Sequence, residues 1–277
     1  MDNQTLSDFT ERIAREAGAI AMEGFRRRDM AIDVKVDFHD MVTKYDRACE
    51  EHIRNAIVEA YPDSKIVGEE DGATEGTSKL EWHIDPIDGT ANFARGMALW
   101  AVCIGVVWND EVVVGVVFDP ANEHMFVANE QGAFLNGERL TSWGFTDPAE
   151  ATVILNFPLP RDFVHYPQKA LEQFTEITHE FAQLRAIGSS AISLCWIAAG
   201  WADATLSFEA HSWDVTAAAF IIRQAKGQYL TYFDGKKQPE LRDFETPHYL
   251  AMVPGAEFTT LQRLMEFQSD RPLPDTY

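Results

Sequence analysis

The sequence predicts a layered α+β protein, with helices packed on an antiparallel sheet in the first half and alternating strands and helices in the second. Three observations predict it. Apolar residues recur at helical spacing from Leu6 to Ile20. Residues 101–139 are rich in Val, Ile, Phe and Gly and are punctuated by turn pairs. Strand-like and helix-like segments then alternate from Val153 to Phe267.

From Thr5, the residues Leu6, Phe9, Ile13, Ala17 and Ile20 define an amphipathic helix, and Arg26, Arg27 and Arg28 supply cations suited to its C-terminal dipole. A short strand over Ile32–Val36 is expected next. A second helix follows over Thr43–Ala60, with Ile53 and Ile57 on its inner face, and stops before Tyr61-Pro62-Asp63. Strands are expected at Lys65–Val67 and Trp82–Ile84. The turn pairs Asn109-Asp110, Asn122-Glu123 and Asn136-Gly137 divide residues 101–139 into an antiparallel meander.

In the second half, strands are expected at Val153–Asn156, Gln183–Ala186, Ala204–Phe208 and Tyr249–Val253. Helices are expected after Tyr166, over Ser190–Ala199, over Val215–Ala225 with Gly227 as the stop, and up to Phe267. The chain thus divides into an N-terminal half, 1–145, a C-terminal half, 146–268, and a tail, 269–277. No repeat or long Pro/Gly linker separates the halves, so they are expected to pack as one body. The tail is polar and proline-containing, compatible with disorder.

Composition narrows the function. Of 277 residues, 46% are hydrophobic, enough for a sizeable core. The formal net charge of -21 disfavours nucleic acid and anionic membranes, both of which call for Lys and Arg. It would also repel a phosphorylated substrate unless bound cations reversed the potential locally, which directs attention to clustered carboxylates. Acidity that merely aids solubility is the plainer alternative. Cys49, Cys103 and Cys195 are widely spaced, giving neither a disulfide framework nor a thiolate metal site. The N-terminus lacks signal-peptide character, and the longest apolar run, Met97–Trp108, is too short to span a bilayer. A cytoplasmic protein is expected.

The chemistry concentrates in Trp82-His83-Ile84-Asp85-Pro86-Ile87-Asp88-Gly89-Thr90, an apolar strand running into two carboxylates, a glycine and a hydroxyl. Asp85, Asp88 and the Ile87 carbonyl could converge on a hard cation, which prefers oxygen ligands. The amides of Gly89 and Thr90, at a helical start, could receive a phosphate. Taken alone, the same pattern also describes a turn with a helix cap. Gly68-Glu69-Glu70 again puts acids at a strand end, or forms a solvated loop. Asp214, in Trp213-Asp214, opens an Ala-rich helix, and Asp46 sits early in the second helix; for both, capping or dipole compensation is the bland alternative.

Together, Gly68-Glu69-Glu70, Asp85-Pro86-Ile87-Asp88-Gly89-Thr90 and Trp213-Asp214 resemble, in order and separation, the three signatures of the inositol monophosphatase family of magnesium-dependent, lithium-sensitive phosphatases. Val42-Thr43-Lys44-Tyr45-Asp46, Gly132-Ala133-Phe134-Leu135-Asn136-Gly137 and Gly188-Ser189-Ser190-Ala191 extend the resemblance from the first helix to the end.

The resemblance implies the αβαβα sandwich shared with fructose-1,6-bisphosphatases, a homodimer, and hydrolysis of a small phosphate monoester, with inositol monophosphate the first-choice substrate. Histidinol phosphate, sugar phosphates or bisphosphates and 3′-phosphonucleotides are the alternatives. A non-catalytic regulatory or binding protein on the same fold is the rival from another class. Glu69, Asp85 and the Ile87 carbonyl would hold one Mg2+, Asp85, Asp88 and Asp214 a second, and a third could sit loosely near Glu69. Thr90, supported by Asp46 and Glu69, would orient the attacking water. Asp88, Gly89, Thr90, Gly188, Ser189, Ser190, Glu209, His211 and Asp214 would face the substrate.

One departure stands out: inositol-specific members carry a hydroxyl-binding glutamate seven residues before the Trp-Asp aspartate, and this chain has Ser207 there, with Glu209 displaced by two. His83 reads as a hydrogen-bonded structural histidine, and His211 as either a hydroxyl contact or a packing residue. Zinc, Rossmann, P-loop and serine-hydrolase patterns are missing from the sequence.

Overall fold

A computed structural model describes residues 2–27, 32–34, 41–239 and 241–270. Helix α1 (Asn3–Gly24) is capped by the Asp2 carboxylate and buries Leu6, Ile13, Ala14, Ala17 and Ala21. It ends at Gly24, so Arg26 and Arg27 lie beyond its last turn rather than within it, and Arg28 falls outside the described residues. Strands β1 (Ile32–Val34) and β2 (Met41–Thr43) pair antiparallel; the remainder of the expected Ile32–Val36 strand is outside the described residues. Helix α2 (Lys44–Ala60) starts at a reciprocal cap in which Asp46 accepts from the Thr43 backbone N–H.

Strands β3 (Lys65–Gly68), β4 (Gly72–Thr74) and β5 (Leu80–Asp88) follow, then the short helix α3 (Thr90–Arg95). The meander is β6 (Ala101–Trp108), β7 (Glu111–Asp119), β8 (His124–Asn129), β9 (Gly132–Leu135) and β10 (Glu138–Leu140). The eight strands form one sheet in the order β10-β9-β8-β7-β6-β5-β3-β4, antiparallel throughout except where β3 meets β5. Strand β5 is longer than the expected Trp82–Ile84: it pairs with β3 over Glu81–Ile84, and β6 on its other edge holds the backbone extended from Leu80 as far as Asp88.

The second half comprises β11 (Thr152–Leu155), α4 (Pro160–His165), α5 (Pro167–Glu180), β12 (Gln183–Arg185), α6 (Ser190–Ala199), β13 (Ala204–Ser207) and α7 (Ser212–Gln224). It closes with β14 (Gln228–Phe233), β15 (Lys236–Lys237), β16 (His248–Met252) and α8 (Thr259–Gln268). Its sheet is mixed: β12, β11 and β13 run parallel, whereas β16, β14 and β15 add antiparallel. Ser269, expected to begin the tail, is buried, and its carbonyl accepts from the Asp234 N–H at 3.0 Å.

Helices α1 and α2 cover one face of the first sheet, α6 and α7 lie between the sheets, and α5 packs on α8 outside the second. This is the five-layer αβαβα sandwich. One core lies beneath α1 and α2, including Trp82, Ile84 and Ile87; the other surrounds the sandwiched helices, where Ala217, Ala218 and Ala219 let α7 sit close to its neighbours. Among the described residues no helix is long and apolar enough to cross a membrane. All three cysteines are buried and free.

Candidate metal centre

The centre forms where β3, β5 and α7 meet. In a regular strand, residues three apart point to opposite faces, which would separate Asp85 from Asp88. Strand β5 avoids this with a bulge: Asp85 pairs with Cys103 and Asp88 with Ala101, so three steps on β5 oppose two on β6. Pro86, which lacks an N–H, sits within the irregularity. Trp82, Ile84 and Ile87 can therefore enter the core beneath α1 and α2 while Asp85 and Asp88 both meet Asp214. Each of these three acids offers a carboxylate oxygen within 4.8 Å of the others. The expected Pro-Ile turn is thus a bulged continuation of the strand, and the bulge is what brings the carboxylates together.

Each acid is fixed by its own local structure. Asp85 Oδ1 accepts from the Ile87 N–H at 2.9 Å. Asp88 accepts from the Ser189 hydroxyl and from the backbone N–H groups of Ser190 (3.2 Å) and Ala191 (2.9 Å), so it receives the N-terminus of α6. Asp214 accepts from the His211 N–H at 2.8 Å, capping α7. Glu69 follows β3, and its carboxyl hydrogen-bonds with Asp85. Capping and convergence, alternatives in the sequence, are compatible for Asp214.

On the other side of Ile87, the Thr90 hydroxyl lies 3.1 Å from Asp46 Oδ1 and 3.0 Å from the Ile87 carbonyl, both acceptors for its single proton. The other Asp46 oxygen accepts from the Thr43 N–H and hydroxyl, at 2.8 and 2.6 Å. Gly89 bridges Asp88 and Thr90 at φ 92°, a left-handed conformation; a Cβ there would also lie 2.9 Å from the Leu99 carbonyl.

Burial pushes Asp85 well above the usual carboxylate range, reinforced by the charges of Glu69, Asp88 and Asp214. Asp214 is raised by burial and by Asp88. Asp88 is raised to about 6 by burial, against the hydrogen bonds from Ser189 and the start of α6. Burial also raises Asp46, opposed by its bonds from Thr43 and Thr90. Buried acids this close can be charged together only if a cation lies among them, and an all-oxygen donor set with a nearby backbone carbonyl fits a hard divalent ion.

Beside the acids lies a cavity of about 370 Å³, whose lining includes Asp88 and Asp214 together with the neutral side chains of Asn156, Ser207 and Tyr249. The Asn156 amide donates to Ser207 Oγ at 2.9 Å. The Tyr249 hydroxyl is close enough to Ser190 and Ser207 for them to oppose the rise in its pKa that burial causes. Gly188, Ser189 and Ser190 also line the cavity, although Ser189 is buried and its hydroxyl is turned to Asp88. Asn156 and Tyr249 were not anticipated from the sequence. Asn156 lies just past the end of β11 and obeys the same strand-end logic as the acids, whereas Tyr249 reaches the cavity on an antiparallel strand and carries no local signal.

Three candidates take other partners. Glu209 does not line the cavity: its carboxylate pairs with Arg161 and its N–H donates to His248 Nδ1 at 3.1 Å. The His211 ring stacks on Trp213, with centroids 4.5 Å apart. His83 lies 2.8 Å from both Ser212 Oγ and Glu81 Oε1, tying β5 to the first turn of α7 as a hydrogen-bonded structural histidine.

A five-layer sandwich with a buried acidic centre at strand and helix ends defines a protein suited to divalent cations and an anionic ligand. The chain belongs to the inositol monophosphatase family, whose model matches residues 2–266. It is 33% identical over 261 residues to Nus factor SuhB of Pasteurella multocida, covering 94% of this chain and 95% of that protein. It is 35% identical over 193 residues to the fructose-1,6-bisphosphatase/inositol-1-monophosphatase of Aquifex aeolicus, covering 69% and 72%. The fold matches the crystal structure of extragenic suppressor protein suhB from Bartonella henselae with a TM-score of 0.82 at 23% identity, over 97% of this chain and 100% of that one.

Proposed function

We propose that this chain is a magnesium-dependent phosphomonoesterase acting on a small phosphorylated alcohol, with inositol monophosphate as its preferred substrate. The observation that carries the reading is the convergence of Asp85, Asp88 and Asp214 within 4.8 Å, beside both a cavity and the Thr90–Asp46 hydrogen bond. The name of the Aquifex aeolicus relative, which describes a phosphatase, supports it.

In this reading Glu69, Asp85 and the Ile87 carbonyl hold one cation and Asp85, Asp88 and Asp214 a second, with a third loosely held near Glu69. When bound, these ions neutralise phosphoryl charge and acidify water. The chain's own residues then manage the proton. Asp46 Oδ1 accepts the Thr90 hydroxyl, which leaves Thr90 Oγ1 with lone pairs for an incoming water. As that water attacks phosphorus in line, its proton passes to Thr90 Oγ1 and the Thr90 proton to Asp46 Oδ1, while the ester P–O bond breaks and the departing alkoxide takes a proton from solvent water. Burial, by raising the Asp46 pKa, favours that transfer. The amides of Gly89 and Thr90 add donors to the phosphate, and the Gly188–Ser190 segment faces the alcohol.

The test is phosphate release from inositol phosphates, histidinol phosphate, sugar phosphates and bisphosphates, 3′-phosphonucleotides and a simple aryl phosphate, with Mg2+ present. Inositol phosphates are expected to turn over fastest. Activity on them no better than on the aryl phosphate removes the preferred substrate. The name Nus factor, borne by the Pasteurella multocida relative, favours a second reading as a regulatory protein on the same fold. Failure of the pure protein to turn over anything on that panel would support it.

A further inference from the structure

Glu50 is fully buried although it carries a carboxylate, and nothing in the proposed chemistry uses it. It lies one helical turn after Asp46 on α2, on the same face. Its two oxygens are occupied from outside the helix: Oε2 accepts from the Glu70 N–H at 2.8 Å and Oε1 from the Asp71 N–H at 3.1 Å. Arg54, a further turn along, donates from Nε to Glu50 Oε1 at 2.7 Å and from Nη1 to Thr74 Oγ1 at 3.2 Å, and its Nη2 donates to the Gly72 carbonyl. The pair therefore holds the segment joining β3 to β4 from its Glu70 and Asp71 amides to Gly72 and Thr74 of β4, directly after Glu69, whose own N–H donates to the Ile84 carbonyl at 3.2 Å. The grip also explains the glycine before Glu69: a Cβ on Gly68 would lie 2.2 Å from Glu50 Oε1.

We infer that the Glu50–Arg54 pair is the positioning device that holds Glu69 against Asp85, so that divalent-cation affinity depends on two residues that do not themselves bind the ion. The inference rests on the reading of Glu69 and Asp85 as cation ligands. Helix α2 then acts as a ruler, setting Thr90 through Asp46 and Glu69 through Glu50 one turn apart. A carboxylate suits the task because it accepts two adjacent amide N–H groups at once; Arg54 suits it because a planar fork can hold the carboxylate and the loop together.

The experiment compares Mn2+ binding, read from the free-ion electron paramagnetic resonance signal, in wild type, E50Q, R54K and the control E51Q, alongside thermal melts in EDTA. Glutamine keeps the shape but turns one acceptor into a donor facing an amide N–H. E50Q is expected to bind Mn2+ at least about ten-fold more weakly, the size of effect seen when the supports of metal ligands are removed. R54K, which keeps the charge but loses the fork, is expected to fall between E50Q and wild type. E51Q removes the same charge from the exposed neighbouring position and is expected to match wild type. A folded E50Q with Mn2+ affinity within about two-fold of E51Q overturns the inference. Should E50Q lose its cooperative melt, R54K decides: wild-type affinity in that variant overturns the inference equally. Wild-type protein that binds no Mn2+ overturns the cation centre itself, and the inference with it, a result distinct from failure of the variants alone.

Discussion

The acidic side of the site, Asp85, Asp88 and Asp214, is held in position by backbone amides, helix starts and a strand bulge, and burial has raised each acid above its ordinary titration range, with neighbouring charges adding to the rise for Asp85 and Asp214. The neutral side, Asn156, Ser207 and Tyr249, lines the cavity that Asp88 and Asp214 also line; Asn156 is bonded to Ser207, and the three come from three separate strands or strand ends. The nearby carboxylate, Glu209, is committed to Arg161. The acidic side is over-determined, which suits chemistry common to a family. The neutral side is a set of interchangeable side chains on a rigid frame, which suits the choice of substrate.

The largest expected effect tests the acidic side. Asp88→Asn is expected to reduce turnover by about three orders of magnitude while the protein stays folded, because one ligand charge is lost from a buried site. Wild-type turnover measured for that variant would break the distinction between the two sides.

The next effect concerns pH. Asp88 has a folded value of about 6 against an ordinary 3.8, so the folded state binds more protons than the unfolded state between those values. Stability of the cation-free protein from this group is present below about pH 4 and is lost as pH rises towards 6; Asp85 and Asp214, raised in the same direction, extend the loss upward. A cation offsets the repulsion, so Mg2+ is expected to raise Tm more at pH 8 than at pH 5. Equal increments in a pair of calorimetric scans would contradict this.

The neutral wall should respond in specificity instead. Ser207→Glu places a carboxylate in the cavity and is expected to raise kcat/KM for inositol phosphate relative to an aryl phosphate by about ten-fold, through added bonds to substrate hydroxyls. An unchanged ratio would remove Ser207 from substrate choice. The smallest effect is expected at His83. His83→Ala removes the link from β5 to Ser212 and should cost about 1–3 kcal/mol in urea unfolding, with turnover affected less than by Asp88→Asn.

The acidic side was legible because Asp88 and Asp214 sit at a strand end and a helix start, where local residue preferences and chemistry coincide, and Asp85 lies three residues before Asp88 in the same segment. The helical spacing of α1 and the turn pairs of the meander likewise pointed to helices packed on an antiparallel sheet, whereas the five-layer order followed only from the family resemblance. The bulge was not: nothing in Asp85-Pro86-Ile87-Asp88 distinguishes a turn from a central strand with one extra residue until β6 is in place beside it. Strand β14 is not among the expected strands, yet Tyr229, Thr231 and Tyr232 before the Asp234-Gly235 turn form a hairpin signal. The position of Glu209 depends on Arg161, which lies 48 residues earlier on a short helix that the apolar pattern did not reveal. Partners this distant are set by tertiary packing.

The most direct measurement is anomalous X-ray scattering from crystals grown with Mn2+. Peaks bounded by the carboxylates of Asp85, Asp88 and Asp214, with another between Glu69, Asp85 and the Ile87 carbonyl, are the predicted result. Crystals saturated with Mn2+ that show no ion among these oxygens would contradict it.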